Sequence, residues 1–148
     1  MKEHPDVVRM YRGLQEAFEK HDVARAVEIS LELWTDGPGR LPRQATPDVR
    51  ERVREMTTRN WTRSDDEAQA ETPAIPLEPP AVGRLSEISV PTLVILGALD
   101  ALNPLEQLTT EIPDAKKVVM AETAHHPFME KPAEFNQIVL DFLGPLKS

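Results

Sequence analysis

Residues 91–100 have the sequence Pro-Thr-Leu-Val-Ile-Leu-Gly-Ala-Leu-Asp. The run from Leu93 to Leu96 is continuously apolar and rich in branched side chains, which is typical of a strand buried on both faces of a parallel sheet. The run ends at Gly97, and Asp100 follows three residues later. The stretch therefore predicts an α/β fold with a carboxylate just beyond the carboxyl end of a buried strand.

The residues after this strand continue the alternation of helix and strand. We expect a short helix over 104–111, a second buried strand over 117–120 and a closing helix over 132–143. The order strand, helix, strand, helix predicts two parallel strands joined by a right-handed crossover.

The amino-terminal part of the chain has helical periodicity. We predict helices over 6–20, 23–34 and 47–61, the last beginning at the Thr-Pro-Asp sequence of residues 46–48. In the first helix Val7, Tyr11, Leu14 and Phe18 recur at helical spacing, which predicts one apolar face. The second helix should stop at residues 35–39, where the glycine and proline content is incompatible with a helix.

A proline-rich stretch separates these helices from the strands. Prolines at positions 73, 76, 79 and 80 follow an acidic run, so we expect extended or irregular backbone over 62–83. The predicted organisation is a helical segment over 1–61, a linker over 62–83 and a strand-bearing segment over 84–148.

The composition limits the classes of function. Hydrophobic residues make up 40% and charged residues 28% of the 148 positions, a balance typical of a globular domain. The net charge of -8 disfavours nucleic acid as a partner, and no apolar run is long enough for a transmembrane helix. The first residues lack the apolar core of a secretory signal, and cysteine is absent. We therefore expect a cytoplasmic protein without disulfides, thiolate metal sites or membrane contact.

Two residues at predicted strand ends form a candidate catalytic pair. Asp100 follows the first strand, and His125 follows the second. Because the carboxyl ends of parallel strands meet at one edge of a sheet, we expect the two side chains to lie close together. A carboxylate beside an imidazole is the acid–base part of a nucleophilic triad, since it fixes the tautomer and stabilises the imidazolium.

These motifs resemble the end of the α/β-hydrolase fold. The resemblance rests on the Pro-Thr-Leu strand at 91–93, on Gly97 to Asp100, and on His125 followed by Glu130 and Pro132. It implies that Asp100 is the acid and His125 the general base, in the chain order of that family. The helices before the linker, with residues 33–40, resemble the helical cap of one branch. The resemblance thus implies an incomplete α/β-hydrolase sheet, its last two or three parallel strands with flanking helices, preceded by a helical cap.

The family's nucleophile motif is missing from these 148 residues. No Gly-x-Ser-x-Gly sequence occurs, and the five serines fall in predicted helices, linker or terminus, never at a strand-to-helix elbow. The family's oxyanion-hole loop is also absent. One hypothesis is a hydrolase for ester-like or related acyl bonds that needs an amino-terminal half from elsewhere. Alternatives are a non-catalytic interaction or homodimerisation module, which would cover the exposed sheet, and a gene fragment.

Other residues near the pair are candidates for the substrate pocket. Trp34 and Tyr11 belong to the predicted cap, and His126 should lie at the pocket rim, although packing alone also explains Trp34. Glu130 is predicted to order the loop rather than to take part in the reaction. Adjacent histidines on an irregular loop rarely hold one ion, so we expect neither a metal nor an organic cofactor. If the site is completed, its substrate is a small molecule, with ester, lactone and amide bonds all open.

Overall fold

The computed structural model describes residues 5–38, 40, 46–63, 78–101 and 105–147. Most of the predicted linker, from residue 64 to residue 77, lies outside this part, and so do Asn103 and Pro104 at the predicted start of the short helix. The division into three segments therefore stays a prediction.

The described residues of the amino-terminal region, here called the helical region (residues 5–63), form three α-helices and a π-helical turn. The α-helices are α1 (Pro5–Glu19), α2 (Val23–Ser30) and α3 (Pro47–Trp61). Asp22 caps α2 by accepting a hydrogen bond from the backbone N–H of Arg25. The predicted second helix is longer than α2 because the chain continues as a π-helical turn over Leu31–Asp36. Within the described ranges, no helix has the length and apolarity needed to cross a bilayer.

The helical region encloses a core made by α2, the π-helical turn and parts of α1 and α3. The predicted apolar face of α1 is wrong in detail, because Tyr11 is 41% and Phe18 45% exposed. The approach of α1 to α2 uses small side chains instead: Ala17 is buried, and a Cβ on Gly13 would lie 3.2 Å from Ile29. The side chains of Tyr11 and Phe18 therefore lie beside the contact between α1 and α2 and stay partly exposed. The buried apolar side chains are Val7, Ala17, Ala26, Val27, Ile29, Leu31, Leu33 and Val49.

The carboxy-terminal region, here called the strand region (residues 81–147), has the predicted α/β order. After a 3₁₀ helix (Ala81–Glu87) it contains β1 (Leu93–Gly97), α4 (Leu105–Glu111), β2 (Lys116–Met120), a single-turn α5 (Pro127–Glu130), α6 (Pro132–Leu143) and a last 3₁₀ turn (Gly144–Lys147). The strands β1 and β2 are parallel, with Leu93 opposite Lys116 and Gly97 opposite Met120. The parallel crossover is confirmed, whereas α5 was not predicted.

The two strands are less buried than their sequence predicts. Both were expected to be covered on both faces, but β1 is mostly half-buried and Val119 in β2 is 49% exposed. Helix α6 has no buried residue, and its Leu140 is 60% exposed. A continuous apolar run reports that a strand needs cover on both faces. The described residues supply a sheet of two strands, which leaves part of that surface open to solvent.

Candidate active site

The loops that follow β1 and β2 are joined by backbone hydrogen bonds. The N–H of Ala98 donates to the carbonyl of Met120, and the N–H of Leu99 donates to the carbonyl of Thr123, both at 2.9 Å. The hydroxyl of Thr123 also donates to the carbonyl of Met120 at 3.1 Å. These bonds fix the end of β1 against the turn after β2, so the two loops form one rigid unit.

Gly97 allows this close approach. A Cβ at this position would collide with the carbonyl oxygen of Ala124 and would lie 2.5 Å from that of Thr123. Because only glycine lacks a Cβ, the second loop can cross directly over the end of β1. The glycine of the Gly-x-x-Asp motif is thus explained by the packing of the two loops.

Asp100 and His125 meet where these loops join, as predicted. The Oδ2 atom of Asp100 lies 2.9 Å from Nδ1 of His125, with the Asp100 side chain 4% exposed and that of His125 46% exposed. An ionised carboxylate only accepts hydrogen bonds, so Nδ1 carries the proton and donates it. In the neutral imidazole Nε2 is then the basic nitrogen.

The carboxylate also changes the proton affinity of the imidazole. The hydrogen bond that His125 donates to Asp100, with a smaller contribution from the charge of Asp100, raises the pKa of His125, while partial burial acts in the opposite direction. The raised pKa means that the imidazolium is stabilised. This is the property that a general base needs while it holds a proton.

The helical region contacts this pair through Trp34. The N–H of His125 donates to the backbone carbonyl of Trp34 at 3.0 Å, and the two rings are 4.9 Å apart at a tilt of 51°. Tyr11 packs edge-on against Trp34 with a ring separation of 6.2 Å. Of the pocket candidates from the helical region, Trp34 thus touches His125 directly and Tyr11 lies one ring further away.

Gly37 brings the end of the π-helical turn onto both loops. Its φ of 85° belongs to the left-handed region, and a Cβ there would collide with the carbonyl oxygen of Leu99. The same Cβ would lie 3.3 Å from the Cβ of Ala124, which is fully buried. Because Gly37 lacks a side chain, it leaves room for the methyl group of Ala124.

Glu130 orders the loop after β2 that carries His125 (residues 121–126), here called the histidine loop, as predicted. Its Oε1 atom accepts the N–H of Ala124 at 2.6 Å, and its Oε2 atom accepts from Arg40 at 3.1 Å. The side chains are 3% exposed for Glu130 and 11% for Arg40. The role of Arg40 was missed, because nothing in the sequence around it identifies a partner 90 positions away.

His126 lies beside the pair, and it is more enclosed than a rim position suggests. Its ring is 5.4 Å from that of His125 and 6.1 Å from that of Phe128. Its Nε2 atom is buried and has no hydrogen-bond partner among the described residues. Burial, and next the charge of His125, lower the pKa of His126. Among all the residues that the structure describes, no cluster of three or more His, Asp or Glu side chains is placed to hold a metal ion.

An ion-pair cluster that the sequence did not reveal supports the π-helical turn. Arg50 in α3 binds Asp36 and Glu28, each at 3.2 Å, and Arg54 also pairs with Glu28. Asp36 is 1% exposed, and burial raises its pKa although Arg50 opposes the shift. The cluster holds the turn that carries Trp34. Arg50 lies 14 positions from Asp36 and 22 from Glu28, which is too far for local sequence periodicity to predict the pairs.

Comparison with solved structures finds this architecture in esterases. Carboxylesterase CesB from Bacillus subtilis aligns with a TM-score of 0.60 and 21% identity, covering 95% of this chain and 46% of that one. A thermophilic esterase gives a TM-score of 0.62 and 22% identity, with 91% and 50% covered. A hydrolase from Pseudomonas aeruginosa gives 0.61 and 25%, with 95% and 51% covered. The chain therefore spans about half the length of each of these proteins.

Curated proteins match over a shorter stretch. The pimeloyl-acyl-carrier-protein methyl ester esterase of Yersinia enterocolitica is 41% identical over 61 residues, which is 39% of this chain and 24% of that protein. The 2-hydroxy-6-oxononadienedioate/2-hydroxy-6-oxononatrienedioate hydrolase of Paraburkholderia phymatum is 41% identical over 64 residues, 41% of this chain and 22% of that protein. No family model matches the sequence. Taken with the parallel strands, these similarities show that the chain has part of an α/β-hydrolase fold.

Proposed function

We propose that this chain supplies the acid and the general base of a hydrolase active site that cleaves an ester or a related acyl bond. The contact between buried Asp100 and half-exposed His125, 2.9 Å long, carries the proposal. The similar proteins add support, because their names are those of esterases and hydrolases. The nucleophile comes from residues outside these 148.

The proposed reaction uses both ring nitrogens of His125. Nδ1–H stays bonded to Asp100, which fixes the tautomer, while Nε2 takes the proton of a nucleophilic hydroxyl as its oxygen bonds to the carbonyl carbon. The same proton then passes to the leaving oxygen as its bond to that carbon breaks. A water molecule, activated by Nε2 in the same way, releases the acid and restores the nucleophile.

The walls of the proposed pocket come from the helical region and the histidine loop. Trp34 lies against His125, Tyr11 backs Trp34, and His126 continues the row of rings towards Phe128. Phe128 also lines a cleft of about 530 Å³ beside α3, but neither Asp100 nor His125 lines that cleft. We propose a small ester with a largely apolar acyl group as the substrate class.

Partner and compartment are part of the same proposal. A polypeptide segment with the nucleophile elbow would pack on the open part of the sheet, where Val119 is 49% exposed. We expect no nucleic acid partner, given the net charge of -8. The absence of cysteine makes the cytoplasm the proposed compartment.

The decisive experiment is complementation. The 148-residue chain is purified alone, and with the product of any adjacent upstream coding sequence that contains Gly-x-Ser-x-Gly, and hydrolysis of p-nitrophenyl butyrate is measured. We expect hydrolysis when the two polypeptides are combined and none from the 148-residue chain by itself. His125→Ala should lower the rate of the combined proteins by about 10³-fold or more. His21→Asn is the matched control, because His21 is exposed, lies outside the site, and has a φ of 55° that asparagine tolerates.

Two results would contradict the proposal. One is strong hydrolysis by the chain alone that survives replacement of every serine. The other is a complemented activity that His125→Ala and Asp100→Asn leave intact.

A second function, an interaction or homodimerisation module, is favoured by one observation. Large apolar side chains of the strand region are exposed, among them Val90 at 65% and Leu140 at 60%. Surfaces of this kind are commonly covered by a partner. Size-exclusion chromatography tests it: a dimer that Leu140→Asp disrupts and His125→Ala does not would support this function, whereas a monomer at all concentrations would refute homodimerisation.

A further inference from the structure

The histidine loop is held by a hydrogen bond to Glu130, which in turn pairs with Arg40. We propose that Glu130, itself held by Arg40, is a positioning residue that keeps the imidazole of His125 against Asp100. The proposal rests on the role of His125 as general base. It means that the helical region, through Arg40, helps to fix the position of that base.

The hydrogen bond to Glu130 acts on the residue just before His125. The N–H of Ala124 donates to Oε1 of Glu130 at 2.6 Å, and Ala124 is fully buried. Water therefore cannot replace Glu130 as the acceptor without opening the loop. A buried N–H that loses its acceptor is strongly unfavourable, so removal of Glu130 forces Ala124, and with it His125, to move.

The carboxylate of Glu130 is fixed from two directions. Helix α5 carries it, and the N–H of Glu130 donates to the carbonyl of His126 at 2.9 Å, which closes residues 124–130 into a compact loop. The second oxygen, Oε2, accepts from Arg40 at 3.1 Å, with both side chains at most 11% exposed. A charge-assisted bond in this setting holds the carboxylate in one orientation. Arg40 belongs to the helical region, as does the carbonyl of Trp34 that accepts the N–H of His125.

Position, rather than charge, is the route from Glu130 to His125. The pKa of His125 is raised first by its hydrogen bond with Asp100 and lowered by burial. A hydrogen bond of this kind depends steeply on distance and angle. If the loop shifts, the bond to Asp100 lengthens and the pKa of His125 falls towards the ordinary imidazole value.

The test follows the His125 imidazole and the Ala124 N–H by NMR in the full chain uniformly labelled with ¹⁵N. In Glu130→Gln we expect the titration midpoint of His125 to move down and the downfield Nδ1–H resonance to weaken. Protection of the Ala124 N–H from hydrogen exchange should fall about tenfold or more, because the acceptor loses its charge. Arg40→Gln should act in the same direction, and Arg40→Lys, which keeps the charge, should restore most of the wild-type behaviour.

Glu134→Gln is the matched control. Glu134 lies four residues further on in α6, is 51% exposed and pairs with Lys131, so its loss should leave His125 unchanged. The proposal is overturned if folded Glu130→Gln and Arg40→Gln both titrate His125 as the wild type does. The titration needs no nucleophile. Either of the two contradicting results given for complementation therefore refutes the proposed function, whereas an unchanged titration refutes the positioning role.

Discussion

The helical region and the strand region of this protein differ in how they bury their apolar residues. The helical region encloses Leu31 and Leu33 completely. In the strand region no residue of α6 is buried, and Leu140 is 60% exposed. The helical region thus covers its own core, while the strand region leaves apolar surface open. The difference shows that an apolar sequence pattern is matched by burial in one region and only in part in the other.

The strand region is well packed at one end. Met120, Thr123 and Ala124 are at most 1% exposed, and they lie at the carboxyl ends of the strands, where Gly37 of the helical region docks. Asp100 and His125 lie at the same place. The contact between the two regions therefore orders the acid–base pair, whereas the proposed nucleophile would reach it from the open part of the sheet.

The largest expected difference between the regions is in the response to loss of a leucine. Leu33→Ala should lower the free energy of unfolding by about 2–5 kcal/mol, because it leaves a cavity in a fully enclosed core. Leu140→Ala should change it by less than about 0.5 kcal/mol, since the side chain is mostly in water. Urea unfolding followed by circular dichroism measures both. Equal losses would mean that Leu140 is covered in solution, by a second copy or by another surface.

The ion pairs of the two regions should differ in the same direction. Arg50→Ala removes the cation from Asp36, which is 1% exposed, and should cost about 2–3 kcal/mol, below the range for a fully buried pair because Arg50 is 15% exposed. The control is Arg84→Ala, which breaks the exposed pair with Glu87 at 2.6 Å. Because both side chains are largely in water, breaking this pair should have little effect on the free energy of unfolding. A loss for Arg50→Ala no larger than for Arg84→Ala would show that the cluster does not hold the π-helical turn.

The same contrast explains how much the sequence predicts. The strands, the closing helix and the contact between Asp100 and His125 follow from short-range periodicity and from the geometry of parallel strands. The salt bridge from Arg40 to Glu130 and the bond from His125 to Trp34 join positions about 90 apart, and no local pattern encodes them. The exposure of Val119 was also not predictable, because a continuous apolar run reports what a strand needs and not what the chain supplies.

The smallest expected effect is a difference between the two regions in how the free energy of unfolding depends on pH. The folded-state pKa values of both Asp36 and His125 are raised, the first by burial and the second by Asp100. Each group therefore contributes stability that is complete below its unfolded pKa and is lost as the pH rises through its folded pKa. The window begins near 3.8 for Asp36 and near 6.5 for His125. The helical region should respond in acid, and the site should respond near neutrality.

Asp100→Asn isolates the contribution of the site. The free energy of unfolding of the wild type minus that of the variant should be largest below pH 6.5 and should shrink as the pH rises through the folded pKa of His125. We expect this pH-dependent part to be at most about 1 kcal/mol, because solvent screens an imidazole that is 46% exposed. His126 acts with the opposite sign, since burial and next the charge of His125 lower its pKa, while the charge of Asp100 opposes them. Urea unfolding across this range measures the difference, and a difference that grows with pH would show that Asp100 does not stabilise the imidazolium.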